Sequence, residues 1–377
     1  MGQLGNFASI IMAVAAVGIN NGITKYVAEF KEDKSILKKL FSTAYRITLY
    51  GSLACGLFMI ICNSLLGGLL LKTSEYNYVF IIFGITIIFY AINNLLISIV
   101  NGLKEFKLFV KINIANSIVG LLYTVIFVVT LGLPGAFISF VTYQSIALVI
   151  TIIMLRKYEW FCWEYFKEKL SASITRKYMH YSLMTLVSIA VVPVAQLILR
   201  SYVINNISEV AAGWWEAMNR LSTMYLLVIT SSFGVYYLPR LSELKSNVEL
   251  RAEIIKAYKV IIPLLTVGFL FIYFLRFFII RILFTPDFYP MENLFLWQLL
   301  GDLIKISSWL LAFLMIAKSR TITFISTEIL SSAFYVILAL GMINVVGIVG
   351  LVQAYLINYI VYLIVVIIIF RKILYAR

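Results

Sequence analysis

Histidine, cysteine and acidic residues are all scarce in this chain of 377 residues: one His, three Cys, and 17 Asp and Glu together. No cluster of these types has metal-ligand spacing, so no metal centre and no cofactor are implied. The single histidine, His180, sits at the edge of an apolar run, where a structural role is expected. Cys55, Cys62 and Cys162 fall in or beside apolar runs and read as packing or interfacial residues. A G-x-x-x-x-G-K-[ST] loop is missing, which excludes ATP hydrolysis through a P-loop. Neither a Sec-type leader with a basic start nor the alternating ten-residue segments of a β-barrel is present. Outward loops stay under about fifteen residues, too short for a catalytic domain outside the membrane, so the chain is not expected to be an enzyme.

Apolar residues, by contrast, dominate: 62% are hydrophobic and 13% charged, with a mean hydropathy of +0.99. A soluble domain is about 45–50% apolar and about 25% charged. Runs of roughly 20 apolar residues are long enough to cross about 30 Å of hydrocarbon as helices. The expected fold is therefore all-α, a polytopic membrane protein with about eleven spans: 4–28, 41–66, 78–100, 108–131, 134–155, 181–204, 211–236, 257–283, 292–316, 321–343 and 347–370.

The net charge of +14 is explained by topology rather than by nucleic acid. Alternate loops, around 25–39, 104–111, 156–177, 240–259, 318–320 and 371–377, collect 24 of the 31 basic residues. The opposite side keeps only Lys72 and Arg281. This asymmetry puts the C-terminus in the cytoplasm.

The chain repeats itself. Gly22–Arg46 (GITKYVAEFKEDKSILKKLFSTAYR) resembles Gly234–Lys259 (GVYYLPRLSELKSNVELRAEIIKAYK), and the G-x-x-G of Gly132 and Gly135 recurs at Gly347 and Gly350, 215 residues later. A sustained offset implies two homologous halves, the arrangement in which transporters place a substrate site. The halves are an N-terminal lobe over 1–155 and a C-terminal lobe over 179–377, joined by an amphipathic cytoplasmic helix over 156–178. The repeat gives the second half a span, 181–204, whose counterpart would precede Met1, so the expectation is a six-plus-six plan of which this chain carries five plus six.

Eight charges fall within spans: Arg46, Arg200, Glu216, Arg220, Arg276, Asp302, Lys305 and Glu328. Each costs roughly 2.5–3.5 kcal/mol at the bilayer centre, so they are expected to face one another or a wet cavity. Glu216 and Arg220 are spaced i, i+4, and Asp302 and Lys305 i, i+3, so each pair shares a helix face. Gln298, Asp302, Lys305 and Ser308 or Trp309 extend one polar stripe; Asn20, Asn21, Asn113 and Asn116 mark others, which serve a cavity wall or helix packing equally well. Arg200 and Arg276, near span ends, either snorkel or bind anions. Five positive against three negative charges favour an anionic substrate, which Arg grips bidentately. Pro193 and Pro263 each fall inside a span and are candidate hinges, a fixed kink being the alternative.

GINNGITKYVAEF (18–30), VVPVAQLILR (191–200), SFGVYYLPRLSEL (232–244), FLWQLLGDLIKI (295–306) and VQAYLINYIVYL (352–363), in this order, resemble stretches of bacterial O-antigen translocases and lipid III flippases, within the multidrug/oligosaccharidyl-lipid/polysaccharide exporter superfamily. The resemblance implies two six-helix lobes around a central cavity and alternating access. It implies flipping of undecaprenyl-pyrophosphate-linked glycan, such as an O-antigen unit in lipopolysaccharide biosynthesis, across the bacterial inner membrane. A polysaccharide polymerase and a chain-length regulator are the partners it suggests, beside membrane lipid. The family's Gly-Asp-Lys stretch carries over as Gly301, Asp302 and Lys305, here with the lysine three positions after the aspartate. The competing expectations are an ion-coupled drug exporter of the same superfamily, which would favour a net acidic cavity, and an inactive truncated member.

Overall fold

In the computed structural model, residues 2–71 and 75–375 are described; Lys72 and Arg377, counted above among the basic loop residues, lie outside them. Lipid offers no partner to backbone N–H and C=O groups, so apolar spans satisfy them internally as helices. Among the described residues eleven α-helices of ten residues or more result: α1 Gly2–Ala15, α2 Asn20–Glu29, α3 Lys34–Ile61, α4 Asn77–Gly102, α5 Phe106–Leu155, α6 Ala172–Asn206, α7 Glu209–Ser232, α8 Asn247–Leu283, α9 Glu292–Ala317, α10 Thr321–Val346 and α11 Ile348–Leu374. Among the described residues there is no strand.

Among the described residues, ten stretches are long and apolar enough to cross a membrane. The longest, α5, has 50 residues and would reach about 75 Å if straight, far beyond the hydrocarbon. It is broken at Gly132, whose φ of 62° and ψ of −135° lie where only glycine rests without strain. Pro134 follows in the first turn of the new segment, where its missing N–H costs no helical bond. The break yields the two spans expected at 108–131 and 134–155.

Side chains exposed on these helices are largely apolar. On α8, Leu264, Val267, Phe271, Phe274 and Phe278 form one exposed stripe at helical spacing, a face suited to lipid. Neither Pro193 in α6 nor Pro263 in α8 ends its helix. Side-chain caps start three helices: Asp33 accepts from the Ile36 N–H (2.9 Å), Ser208 from Ala211 (3.0 Å) and Ser246 from Val248 (3.2 Å).

The chain divides into two compact units, Met1–Leu186 and Val187–Arg377. In the first, Gly56 and Gly84 bring α3 and α4 together: a Cβ on either would lie 2.4 or 2.7 Å from the other's carbonyl oxygen. The segment expected as an amphipathic helix over 156–178 is instead turns around a short 3₁₀ helix, Trp163–Tyr165, with α6 starting at Ala172. The cause is aromatic packing. Trp160, Tyr165 and Phe166 surround the buried Phe41 of α3 at 5.8–5.9 Å, and the Tyr165 carbonyl accepts from Ser42. A regular helix would turn part of that set away.

The repeat is written in the backbone of each unit. Helix α4, Asn77–Gly102, and α9, Glu292–Ala317, have 26 residues each and start 215 positions apart. After them Lys104 (φ 61°) and Ser319 (φ 53°) take the same left-handed turn. Each turn closes with matching bonds, Glu105 N–H to Val100 O (3.2 Å) and Arg320 N–H to Met315 O (2.7 Å). Gly347 (φ 69°) then repeats Gly132.

Candidate functional site: a charged aromatic cavity in the second unit

Four residues on α9 define the site: Gln298, Asp302, Lys305 and Trp309, spaced i, i+4, i+7, i+11 and therefore on one face. Gly301 lets α11 come close to that face, since a Cβ there would fall 2.5 Å from the Tyr355 ring. Helix α11 answers with Tyr355, Asn358, Tyr359 and Tyr362, again at helical spacing.

Asp302 is fully buried (0% exposed) and saturated with donors. Its carboxylate accepts from Ser222 Oγ (2.7 Å), Tyr225 Oη, Tyr355 Oη (2.8 Å) and the Gln298 amide (3.3 Å). Three hydroxyls and an amide replace the water that a buried carboxylate loses. The residue thus ties α7, α9 and α11 together and is not among those lining the cavity.

Lys305, one turn further on, does line it. Its ammonium lies 4.9 Å from the Trp309 ring centre and 5.7 Å from those of Tyr355 and Tyr359, within cation–π range. The cavity measures about 510 Å³ and is walled by α7, α9, α10, α11 and the second part of α6. Glu328 and Tyr335 project into it from α10, Asn219 and Thr223 from α7, and Gln196 from α6. Among the described residues neither Lys305 nor Glu328 has a hydrogen-bonding or ion-pairing side chain.

The other residues singled out from the sequence lie elsewhere. Glu216 and Arg220 do pair, at 3.1 Å, but Arg220 is 75% exposed and neither lines the cavity. Arg276 folds back on its own helix, over Tyr273 and Phe277 and onto the Tyr273 carbonyl at 2.9 Å. Arg200 is exposed on α6. Pro193 and Pro263 are exposed on α6 and α8. Arg46, Asn20, Asn21, Asn113 and Asn116 belong to the first unit. There Arg46 and Asn20 are half-buried, Asn21 is exposed, and Asn113 donates to the Phe109 carbonyl of its own helix (2.8 Å). The Asn116 side-chain oxygen is buried without a partner among the described residues. The surplus of positive charge is therefore not gathered at this cavity, whose wall carries one lysine and one glutamate.

Sequence reasoning missed the tyrosines. Tyr225 and Tyr355 hold Asp302, and Tyr335, Tyr359 and Tyr362 line the cavity. Y-x-x-N-Y-x-x-Y over 355–362 is a one-faced stripe and could have revealed them. Among the described residues no group of three His, Cys, Asp or Glu could hold a metal ion.

The helices define a multi-pass α-helical membrane protein with the fold of MATE transporters. A Vibrio cholerae MATE transporter, VcmN in the bent form, superposes with a TM-score of 0.83 at 16% identity, covering 99% of this chain and 87% of that one. Residues 1–245 match the sequence profile described as polysaccharide biosynthesis protein, and the chain belongs to that family. Among curated relatives, the lipid III flippases of Escherichia coli (strain K12) and Shigella flexneri are each 27% identical over 362 residues, 95% of this chain and 87% of theirs.

Proposed function

We propose that this protein flips undecaprenyl-pyrophosphate-linked oligosaccharide from the cytoplasmic to the periplasmic leaflet of the bacterial inner membrane. The observation that carries the reading is the cavity: two charges without a hydrogen-bonding or ion-pairing partner and a wall of tyrosines, among helices whose exposed side chains are largely apolar. A hydrophobic solute needs no such charges, which cost free energy in a membrane. A glycan does, while its polyprenyl tail stays in lipid. The likeness to lipid III flippases over 95% of the chain supports the same substrate class. In this reading the C-terminus and the linker over 156–178 face the cytoplasm, where the basic loops gather. The lobes alternate access, with Pro193, Pro263 and the glycine breaks as points of bending. A polymerase and a chain-length regulator would consume the product.

The MATE fold keeps a second reading in play, export of small molecules, but at 16% identity it speaks for architecture alone. The leaflet location of lipid-linked repeat units in cells with and without this chain separates the two. Accumulation at the cytoplasmic leaflet without it, reversed by these 377 residues, is the expected result. Unchanged leaflet distribution together with altered drug sensitivity would favour export.

A further inference from the structure

We infer that the cavity of the second unit is a subsite for one sugar unit carrying both a negative and a positive group, read by Lys305 and Glu328 respectively. This rests on the translocation reading above and specifies the chemistry of the same cavity.

Three observations lead there. First, Asp302 presents no oxygen to the cavity: it is fully buried, already accepts from three hydroxyls and an amide, and is not part of the cavity wall. The charges left facing the cavity are therefore one ammonium and one carboxylate. Second, those two make no direct ion pair: no nitrogen–oxygen contact within 4.0 Å joins them, and each keeps its hydrogen-bonding positions open to a ligand. Lys305 rests instead over the Trp309, Tyr355 and Tyr359 rings. Third, the space of about 510 Å³ falls within the roughly 300–1,000 Å³ of small-molecule sites, and Asn219 and Asn358 add neutral donors and acceptors to its wall.

A ligand with one charge would satisfy one of these side chains and leave the other facing it uncompensated, in a setting where unpaired charge is expensive. A neutral sugar would offer hydroxyls only, and these compete poorly with the water they displace. A zwitterionic sugar bridges both groups across the gap and sets the apolar face of its ring against aromatic walls.

The test uses the full chain in lipid nanodiscs and four methyl glycosides of one ring size, followed by isothermal titration. They are methyl glucoside, methyl glucuronide, methyl 2-amino-2-deoxyglucoside and the methyl glycoside of 2-amino-2-deoxyglucuronic acid. The last is expected to bind at least tenfold more tightly than any other, a difference of about 1.4 kcal/mol. Lys305→Gln should reduce it to the level of the aminoglucoside, and Glu328→Gln to that of the glucuronide. Equal binding of the neutral and zwitterionic glycosides, a preference for the glucuronide, or no binding of any would overturn the inference. The ranking on the unsubstituted chain is decisive even if a variant fails to fold. Loss of this ranking with leaflet flipping intact removes the subsite alone; zwitterion binding in a chain that moves no lipid-linked unit removes the flippase reading alone.

Discussion

Lys104 and Ser319 turn the chain the same way in the two halves, and Gly132 and Gly347 break it the same way. Yet where the second half has Asp302, Lys305 and Glu328, the first has Ile87, Tyr90 and Asn113 at the same 215-residue spacing. Ile87 is fully buried (0% exposed). Near it the polar contacts are neutral: Asn94 donates to Tyr90 Oη (3.0 Å), Tyr123 Oη meets Thr142 Oγ1 (2.9 Å), and Ser145 donates to the Thr86 carbonyl (2.8 Å). The comparison separates two physical demands. Helix lengths, left-handed turns and breaks are backbone requirements, and both halves meet them alike. Charges cost free energy in a membrane and persist where an interaction offsets that cost, and at these three matched positions only the second half carries them.

Exchanging the two environments should produce the largest effects. Asp302→Ala removes the common acceptor of Ser222, Tyr225, Tyr355 and Gln298. With several donors left buried, the loss of stability should be of order 3 kcal/mol. The converse, Ile87→Asp, places a carboxylate in a fully buried position and should be at least as damaging. Thermal unfolding in detergent measures both. A well-folded Ile87→Asp protein would mean that this matched position tolerates charge after all.

Next in size are the breaks. Gly132→Ala and Gly347→Ala force an alanine to φ of 62° and 69°, costing roughly 1–3 kcal/mol each, with similar values in the two halves. The partner glycines behave alike: a Cβ on Gly135 or Gly350 would lie 1.9 or 2.4 Å from the carbonyl oxygen of Phe127 or Met342. A strong response in one half alone would show that the shared backbone is not equally used.

The smallest effect on stability is expected at Arg220→Gln. Its pair with Glu216 is exposed and should contribute no more than about 1 kcal/mol. A larger loss would restore this pair to the structural frame.

Much of this was legible in the sequence because the signals are long. Twenty-residue apolar runs, a repeated G-x-x-G and basic loops survive averaging over many residues. The stripe Gln298, Asp302, Lys305 and Trp309 was legible too, since helical spacing alone puts these residues on one face. Spacing says nothing of depth, however. It could not tell that Asp302 would be enclosed by hydroxyls from α7 and α11 while Lys305 reached the cavity, nor that Arg220 would be exposed. The loop after α5 misled for another reason: its amphipathic composition suits a surface helix, but aromatic contacts to Phe41 and Tyr45 are made by irregular backbone.

The contrast between Lys305 and Tyr90 tests the central claim most directly. Cells whose only copy carries Lys305→Gln, and cells with Tyr90→Phe, are compared at equal membrane levels of the protein for the leaflet distribution of lipid-linked repeat units. The account expects cytoplasmic-leaflet accumulation, with flipping slowed at least tenfold, for Lys305→Gln and near-normal distribution for Tyr90→Phe. Normal flipping with Lys305→Gln, or equal loss in both, would contradict it.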